Sequence, residues 1–157
     1  IDVSENIEIV IVGEGGFKDE LKDNLKSFSF VKFFDLVPYE ELNDLLCSAN
    51  VHFLFQKSEV VDTIMPSKIL GMMASKKPSI ITGNTKSEVS AIINESSGGF
   101  YFDGNDTIQI YQTLLELKNY PEKCIEMGEN SRNSVLNKFS EKIIFSNFVE
   151  KIDQVLA

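Results

Sequence analysis

Short apolar runs alternate with stretches of helical periodicity along most of this chain, and that order limits the folds it can adopt. The apolar runs are strand-sized, and helical stretches of about 10–12 residues separate them. The runs are IEIVIV, FVKFF, VHFLF, PSIIT and GFYF, from Ile7 to Phe102. Strands that alternate with helices form βαβ units, in which the strands are parallel and the helices cover the sheet. We therefore predict an α/β fold with a doubly wound, mostly parallel sheet, covered on both faces.

After Pro121 the alternation stops, and two amphipathic helices follow one another. Their sequences are EKCIEMGENSRNSVLNKF and EKIIFSNFVEKIDQVL, with a break near Ser140, which is a good N-cap residue. A chain of 157 residues is one domain's worth. We predict that residues 1–157 form a single domain with one core and two C-terminal helices. Because the first strand begins close to Ile1, we interpret the chain as a fragment.

The composition excludes several classes of protein. A net charge of −9 argues against a general nucleic-acid binder or a polybasic membrane anchor, because both need clustered Lys and Arg. The longest apolar runs are far shorter than the roughly 20 residues that span a bilayer. The start lacks the basic head of a signal peptide. We therefore expect a cytoplasmic protein with no transmembrane segment and no nucleic-acid partner.

The cysteines and the histidine do not form a recognisable metal or catalytic motif. Cys47 and Cys124 are far apart and have no metal-ligand spacing, so we interpret both as reduced packing residues. His52 lies in an apolar strand pattern and is interpreted as a core residue rather than a catalytic base. We expect neither a metal nor a cofactor.

A glycine loop follows the first predicted strand. Gly13, Gly15 and Gly16 stand between IEIVIV and a helix, where glycines let backbone N–H groups approach a phosphate. Lys18 occupies the third glycine position of a dinucleotide fingerprint, while Asp35 ends the second strand where a ribose-binding acid would stand. Three interpretations remain open: a tight turn only, a contact with phosphate or sugar, and a dinucleotide site.

A long loop follows VHFLF and leads into an apolar helix that begins PSK. Long loops at the carboxyl ends of strands often have functional roles. Ser67 is predicted to cap the helix, which places Lys68 in its first turn, where the helix dipole disfavours a cation and favours an anion. A bound diphosphate would offset that penalty. The alternative is that Lys68 points into water. The next turn, from Thr82 to Thr85, is interpreted as an ordinary turn.

Five segments in register resemble the C-terminal, donor-binding domain of the group 1 (family 4-like) glycosyltransferases. These enzymes have two facing Rossmann-like domains, the GT-B architecture. The segments are IVIVGEGGFKDEL, VKFFDLVPYEELNDLLCSANVHFLF, PSKILGMMASKKPSIITGNTKSEV, GGFYFDGNDTIQIYQTLLEL and EMGENSRNSVLNKFSEKIIFSNFVEKI. The PSK opening resembles a branch that builds bacterial surface polysaccharides such as capsule and lipopolysaccharide. The resemblance implies an acceptor domain before Ile1 and a helix, residues 139–157, that crosses toward it.

The resemblance also implies roles for individual residues. The glycine loop would face the donor phosphates and the transferred sugar, and the backbone of Leu36 and Val37 would contact the nucleotide base. The long loop and the helix start would hold the diphosphate, with Ser67 and Lys68 nearest to it. The implied diphosphate-binding residues are Thr63, Ile64, Met65, Pro66, Ser67 and Lys68.

The chain departs from the family at two glutamates that usually contact the donor. Aligned on LGMMASKKP, their positions hold Thr63 and Gly71. Glu59 or Asp62 is the available replacement for the first, and nothing visible replaces the second. We assign catalytic roles to Lys68, as the cation beside the departing diphosphate, and to Glu59.

The predicted function is donor binding in a retaining glycosyltransferase of the hexosyltransferase type. The enzyme would move a sugar from a nucleoside diphosphate sugar, a UDP-sugar, to a lipid-linked or polysaccharide acceptor held by the missing domain. The full-length protein would associate peripherally with the inner face of the membrane, and the fragment alone would be inactive. One alternative is an NAD-dependent oxidoreductase domain that uses Gly13, Gly15 and Asp35. The other is a non-catalytic nucleotide-sugar-binding module, which the absent glutamates favour.

Overall fold

The computed structural model describes residues 6–59, 67–104 and 106–156. Strands and helices alternate as far as Phe102, and three consecutive helices follow. The strands are β1 (Ile9–Val12), β2 (Val31–Phe34), β3 (His52–Phe55), β4 (Ser79–Thr82) and β5 (Gly99–Phe102). The helices are α1 (Lys18–Leu25), α2 (Leu42–Ser48), α3 (Lys68–Ala74), α4 (Glu88–Ser96), α5 (Thr107–Asn119), α6 (Pro121–Lys138) and α7 (Glu141–Leu156), and a short 3-10 helix, Tyr39–Glu41, precedes α2. The predicted strands and the two C-terminal helices are confirmed.

The chain divides into two compact units, with the boundary between Leu45 and Leu46. In the first unit β1 pairs in parallel with β2, and Ile9 lies opposite Val31. In the second unit β4 lies between β3 and β5 and is parallel to both. The α/β class with parallel strands is therefore confirmed. The strands form two sheets rather than one, because no ladder of hydrogen bonds joins the two sets within the described residues.

The core of the second unit lies on both faces of β4, whose four residues are all buried. Ile80 and Ile81 point to opposite faces, since successive strand residues alternate. The buried cluster that contains Ile81 consists of Ile69, Met73, Ile81, Val89, Ile92 and Ile93. The cluster that contains Ile80 consists of Ile80, Leu117 and Met127. The prediction of a strand covered on both faces is confirmed for β4, but not for β1, where Val10 is 48% exposed.

Helix α6 is fastened to backbone carbonyls at the amino-terminal edge of the three-stranded sheet. The hydroxyl of Ser131 is fully buried and donates to the carbonyl of Gly98, directly before β5, at 3.0 Å. The guanidinium of Arg132 donates to the carbonyl of Ala74, at the end of α3, at 2.7 Å. Because both acceptors belong to the backbone, these two bonds fix the helix to the frame of the unit rather than to movable side chains.

The single histidine, His52, is predicted to be a core residue, and the structure shows its burial and its hydrogen-bond partner. His52 is 9% exposed, and its Nε2 lies 2.9 Å from Oγ of Ser75, which in turn donates to the carbonyl of Met72 at 2.7 Å. Burial lowers the pKa of His52, with a smaller contribution from the charge of Lys77. The core assignment of His52 is therefore confirmed.

The two cysteines also differ, and neither forms a disulfide. Cys124 is partly buried, its Sγ lies 3.3 Å from the carbonyl of Leu117, and burial raises the pKa of its thiol. Cys47 is exposed, so its interpretation as a packing residue is wrong. It lies in α2, a helix of seven residues that buries none of them.

The last helix, α7, leaves a long row of apolar side chains exposed. These are Ile144, Phe145, Phe148, Val149, Ile152, Val155 and Leu156. A helix with this much apolar surface normally packs against another surface. No helix in the described part of the chain is long and apolar enough to span a bilayer.

Candidate functional site

The glycine loop lies at the carboxyl end of β1, as predicted. The N–H of Gly13 donates to the carbonyl of Phe34 at 3.4 Å, which places the loop beside the end of β2. Gly13 has a φ of 144°, a conformation that favours glycine. Among the described residues, no heavy atom lies within 4 Å of where a Cβ of Gly13, Gly15 or Gly16 would stand. The backbone of this loop is therefore open to a ligand.

A lysine joins the glycine loop to the end of β2. Nζ of Lys18 lies 2.6 Å from a carboxylate oxygen of Glu14, within the loop, and 2.7 Å from one of Asp35. The hydrogen bond to Asp35, followed by the one to Glu14, raises the pKa of Lys18, and the same lysine lowers the pKa of Asp35. Asp35 thus has a cationic partner in place of the ribose hydroxyls that a nicotinamide nucleotide would offer.

The segment predicted to contact the nucleotide base directly follows Asp35. Leu36 is 67% exposed, and Val37 is half-buried. Neither residue belongs to a helix or strand, and Pro38 continues the chain with φ −53° and ψ 152°. The segment is therefore irregular and partly exposed.

The long loop after β3 is described only as far as Glu59, which is exposed in a turn. The predicted site residues Thr63, Ile64, Met65 and Pro66 lie outside the described residues. Asp62 lies outside them as well. The description of the chain resumes at Ser67.

Helix α3 begins at Lys68, as predicted, but Ser67 does not cap it. Ser67 is already in the right-handed helical conformation, with φ −55° and ψ −26°, and its side chain makes no capping bond. A side-chain cap needs an N-cap residue in an extended conformation, so that prediction is wrong. The first turn contains no acidic residue, and Lys68 is exposed. The amino end of α3 therefore has no anion from its own first turn.

The loops after β3 and β4 are tied to each other. The side-chain amide of Asn84 donates to the carbonyl of Ser58 at 3.0 Å, and its oxygen accepts from the N–H of Lys86 at 2.9 Å. Ser87 caps α4 by accepting from the N–H of Ser90 at 3.2 Å. The turn from Thr82 to Thr85 is therefore a rigid part of the carboxyl edge of this sheet.

The described residues contain no group of three or more His, Cys, Asp or Glu side chains placed to hold a metal ion. Backbone N–H groups of an open loop, such as the glycine loop of the first unit, are able to bind phosphate oxygens.

Parallel strands that alternate with helices define an α/β protein, and in its first unit an open glycine loop follows β1. The sequence matches the family described as Glycosyl transferases group 1 over residues 2–119, more than half of the chain. The chain belongs to this family, and its fold is that of the GT-B glycosyltransferases.

Two curated relatives of the chain are bacterial glycosyltransferases. The chain is 28% identical over 96 residues to the colanic acid biosynthesis glycosyl transferase WcaI of Escherichia coli, covering 60% of this chain and 24% of WcaI. It is 22% identical over 156 residues to the glycosyltransferase WbjE of Pseudomonas aeruginosa, covering 98% of this chain and 38% of WbjE. The chain thus spans well under half of each relative.

Two solved structures share the fold. Anabaena HepE, in complex with UDP-glucose, superposes with a TM-score of 0.72 at 14% identity, covering 94% of this chain and 41% of HepE. WaaG, a glycosyltransferase involved in lipopolysaccharide biosynthesis, superposes with a TM-score of 0.66 at 16% identity, covering 85% of this chain and 35% of WaaG.

Proposed function

We propose that this chain binds the donor of a retaining glycosyltransferase, and that the donor is a nucleoside diphosphate sugar with UDP as its nucleotide. The observation that supports this most directly is the open glycine loop at the end of β1, in a chain that belongs to a glycosyltransferase family. The presence of UDP-glucose in the HepE structure supports the choice of nucleotide.

In this proposal the diphosphate occupies the amino end of α3. Lys68 lies in the first turn with no acidic neighbour there, and the unpaired N–H groups of a helix start bind phosphate. During transfer the bond between the anomeric carbon and the diphosphate oxygen breaks, and its electron pair leaves with UDP. The acceptor hydroxyl oxygen bonds to the same carbon on the same face, and its proton passes to an oxygen of the departing diphosphate. Lys68 stabilises the charge that develops on the diphosphate, and Glu59 faces the sugar.

The remaining roles belong to the longer protein that the relatives represent. A further domain holds a lipid-linked or polysaccharide acceptor, and α7 crosses toward it, which would cover the exposed apolar row of that helix. The transferase is of the hexosyltransferase type, needs no cofactor or metal, and works in the cytoplasm, at the inner face of the membrane. The present chain alone binds donor without turning it over.

A second candidate is a nucleotide-sugar-binding module without transfer activity. It is favoured by Gly71, which stands where the family usually has a donor-binding glutamate. A Cβ at Gly71 would lie 3.4 Å from Cδ1 of Leu46, so this side of α3 is in contact with an apolar side chain. The nicotinamide alternative has no such support, because Asp35 is paired with Lys18.

Calorimetric titration of the chain with UDP, UDP-glucose and NADH tests the proposal. We expect heat of binding with UDP and UDP-glucose and none with NADH. Binding of NADH alone would refute the proposal. In the full-length protein, release of UDP with glycan acceptors separates the transferase from the non-catalytic module.

A further inference from the structure

Gln56 is the residue that directly follows β3, and its side chain contains an unsatisfied polar atom. Its backbone N–H donates to the carbonyl of Thr82 at 2.9 Å, so the residue extends the β3–β4 ladder to the carboxyl edge of the sheet. Its side-chain oxygen, Oε1, is buried and has no hydrogen-bond partner among the described residues. Buried polar atoms are almost always paired, so an unpaired one in a fixed position needs an explanation.

The space around Gln56 is maintained by a glycine. Gly83 has a φ of 156°, and a Cβ there would lie 3.1 Å from Cβ of Gln56 and 2.6 Å from the hydroxyl oxygen of Tyr101. Gln56 and Tyr101 therefore approach the same point from β3 and β5, the two strands that flank β4. The hydroxyl of Tyr101 accepts a hydrogen bond from Oγ of Ser87 at 3.0 Å, which holds the ring in place.

A hydrogen bond holds the described start of the loop that follows β3. The side-chain amide of Asn84 donates to the carbonyl of Ser58 and so joins this loop, which Gln56 begins, to the loop after β4. The result is a preorganised acceptor at the edge where parallel α/β sheets bind ligands.

The chemistry of the unpaired atom selects the group that it binds. A carbonyl oxygen accepts hydrogen bonds, whereas an ionised diphosphate offers none to accept. The transferred sugar offers several hydroxyl donors. The ribose hydroxyls and the uracil N–H of the nucleotide are also donors, and comparison of UDP with UDP-glucose separates the two sources. Resting on the function proposed above, we propose that Gln56 is a specificity-determining residue whose Oε1 accepts a hydrogen bond from a hydroxyl of the transferred sugar.

The substitution Gln56→Met tests this assignment, because methionine keeps the length and apolar body of the side chain but removes the acceptor. We expect UDP affinity to stay within about twofold of that of the original chain. UDP-glucose affinity should fall by about fivefold, which is the effect expected from the loss of one neutral hydrogen bond. We expect no fall in the melting temperature, since an unsatisfied buried atom has been removed. Gln154→Met, on exposed α7, is the matched control and should change neither affinity.

The outcomes separate this assignment from the proposed function. If the original chain binds UDP but binds UDP-glucose no more tightly, or if Gln56→Met binds UDP-glucose as well as the original does, the assignment to Gln56 is wrong and the proposed function stands. Equal losses for UDP and UDP-glucose, with a lower melting temperature, would show a structural role and also overturn it. If the original chain binds neither ligand, the proposed function fails and the assignment fails with it.

Discussion

The two edges of the three-stranded sheet differ in how their polar groups are satisfied. At the amino edge, Ser131 and Arg132 of α6 bond to backbone carbonyls and His52 bonds to Ser75. Oγ of Ser79, the first residue of β4, is buried there without a partner among the described residues. At the carboxyl edge, Gln56 has a buried oxygen without a partner among the described residues, and Lys68 is exposed. The difference is that the polar bonds of the amino edge attach α6 to the backbone, while the carboxyl edge presents Lys68 to solvent.

The largest effect is expected at the amino edge, from Gly128→Ala. A Cβ at Gly128 would lie 2.0 Å from the carbonyl oxygen of Lys76. Because this neighbour is a backbone atom, relief of the clash would require a shift of the main chain. We expect the free energy of unfolding in urea to fall by about 3 kcal/mol. The control is Gly15→Ala, in the open glycine loop, where no described atom is close and little change in stability is expected. If both variants lost the same free energy of unfolding, the packed site at Gly128 and the open site at Gly15 would not differ as the structure indicates.

The next effect belongs to the carboxyl edge, from Lys68→Ala. We expect UDP affinity, measured by calorimetry, to fall by about tenfold, because one charge-assisted hydrogen bond to phosphate is lost. The free energy of unfolding should be unchanged, since the side chain is exposed. Lys151→Ala in α7 makes the same change at another exposed position and should leave UDP binding intact. An unaltered affinity in Lys68→Ala would exclude this lysine from the donor site.

A pH dependence is expected from His52, the single histidine of the chain. Burial lowers its pKa in the folded state below the ordinary value of 6.5. The unfolded chain therefore takes up a proton near pH 6.5 while the folded chain resists it. The free energy of unfolding should decrease as the pH falls below 6.5, by at most about 1.4 kcal/mol per pH unit. In His52→Gln this decrease in the free energy of unfolding between pH 7 and pH 5 should disappear. If the decrease persists, other titrating groups cause it.

The smallest effects are expected from two serines at helix starts. Ser87 caps α4, so Ser87→Ala should lower the free energy of unfolding by about 1 kcal/mol. Ser67 makes no capping bond, so Ser67→Ala should change it by less than about 0.5 kcal/mol. Chemical denaturation of both variants measures the difference. A larger loss at Ser67 than at Ser87 would contradict the observed geometry.

The order of strands and helices could be predicted because it depends on local patterns. SIIT is apolar at consecutive positions, and β4 is buried throughout. The position of the glycine loop was also predictable, since glycines between a strand and a helix mark the turn that joins them. Its position at the end of β1 confirms that local chemistry was sufficient there.

Features that depend on contacts between distant residues could not be predicted in the same way. Lys18 and Asp35 are far apart in sequence and meet only because β1 and β2 are neighbours. The sequence does not distinguish Gln56 from the other polar residues of its loop, and only the structure shows that its Oε1 is buried without a described partner. Ser67 had the right residue type for a cap, but capping depends on its backbone angles, which the residue type does not determine.

The attachment of α6 has a mechanical consequence. Its two bonds to main-chain oxygens, and the close contact of Gly128 with Lys76, leave the helix no freedom to slide along the sheet. A force applied to α6 would therefore be transmitted directly to the main chain of the second unit rather than to single side chains.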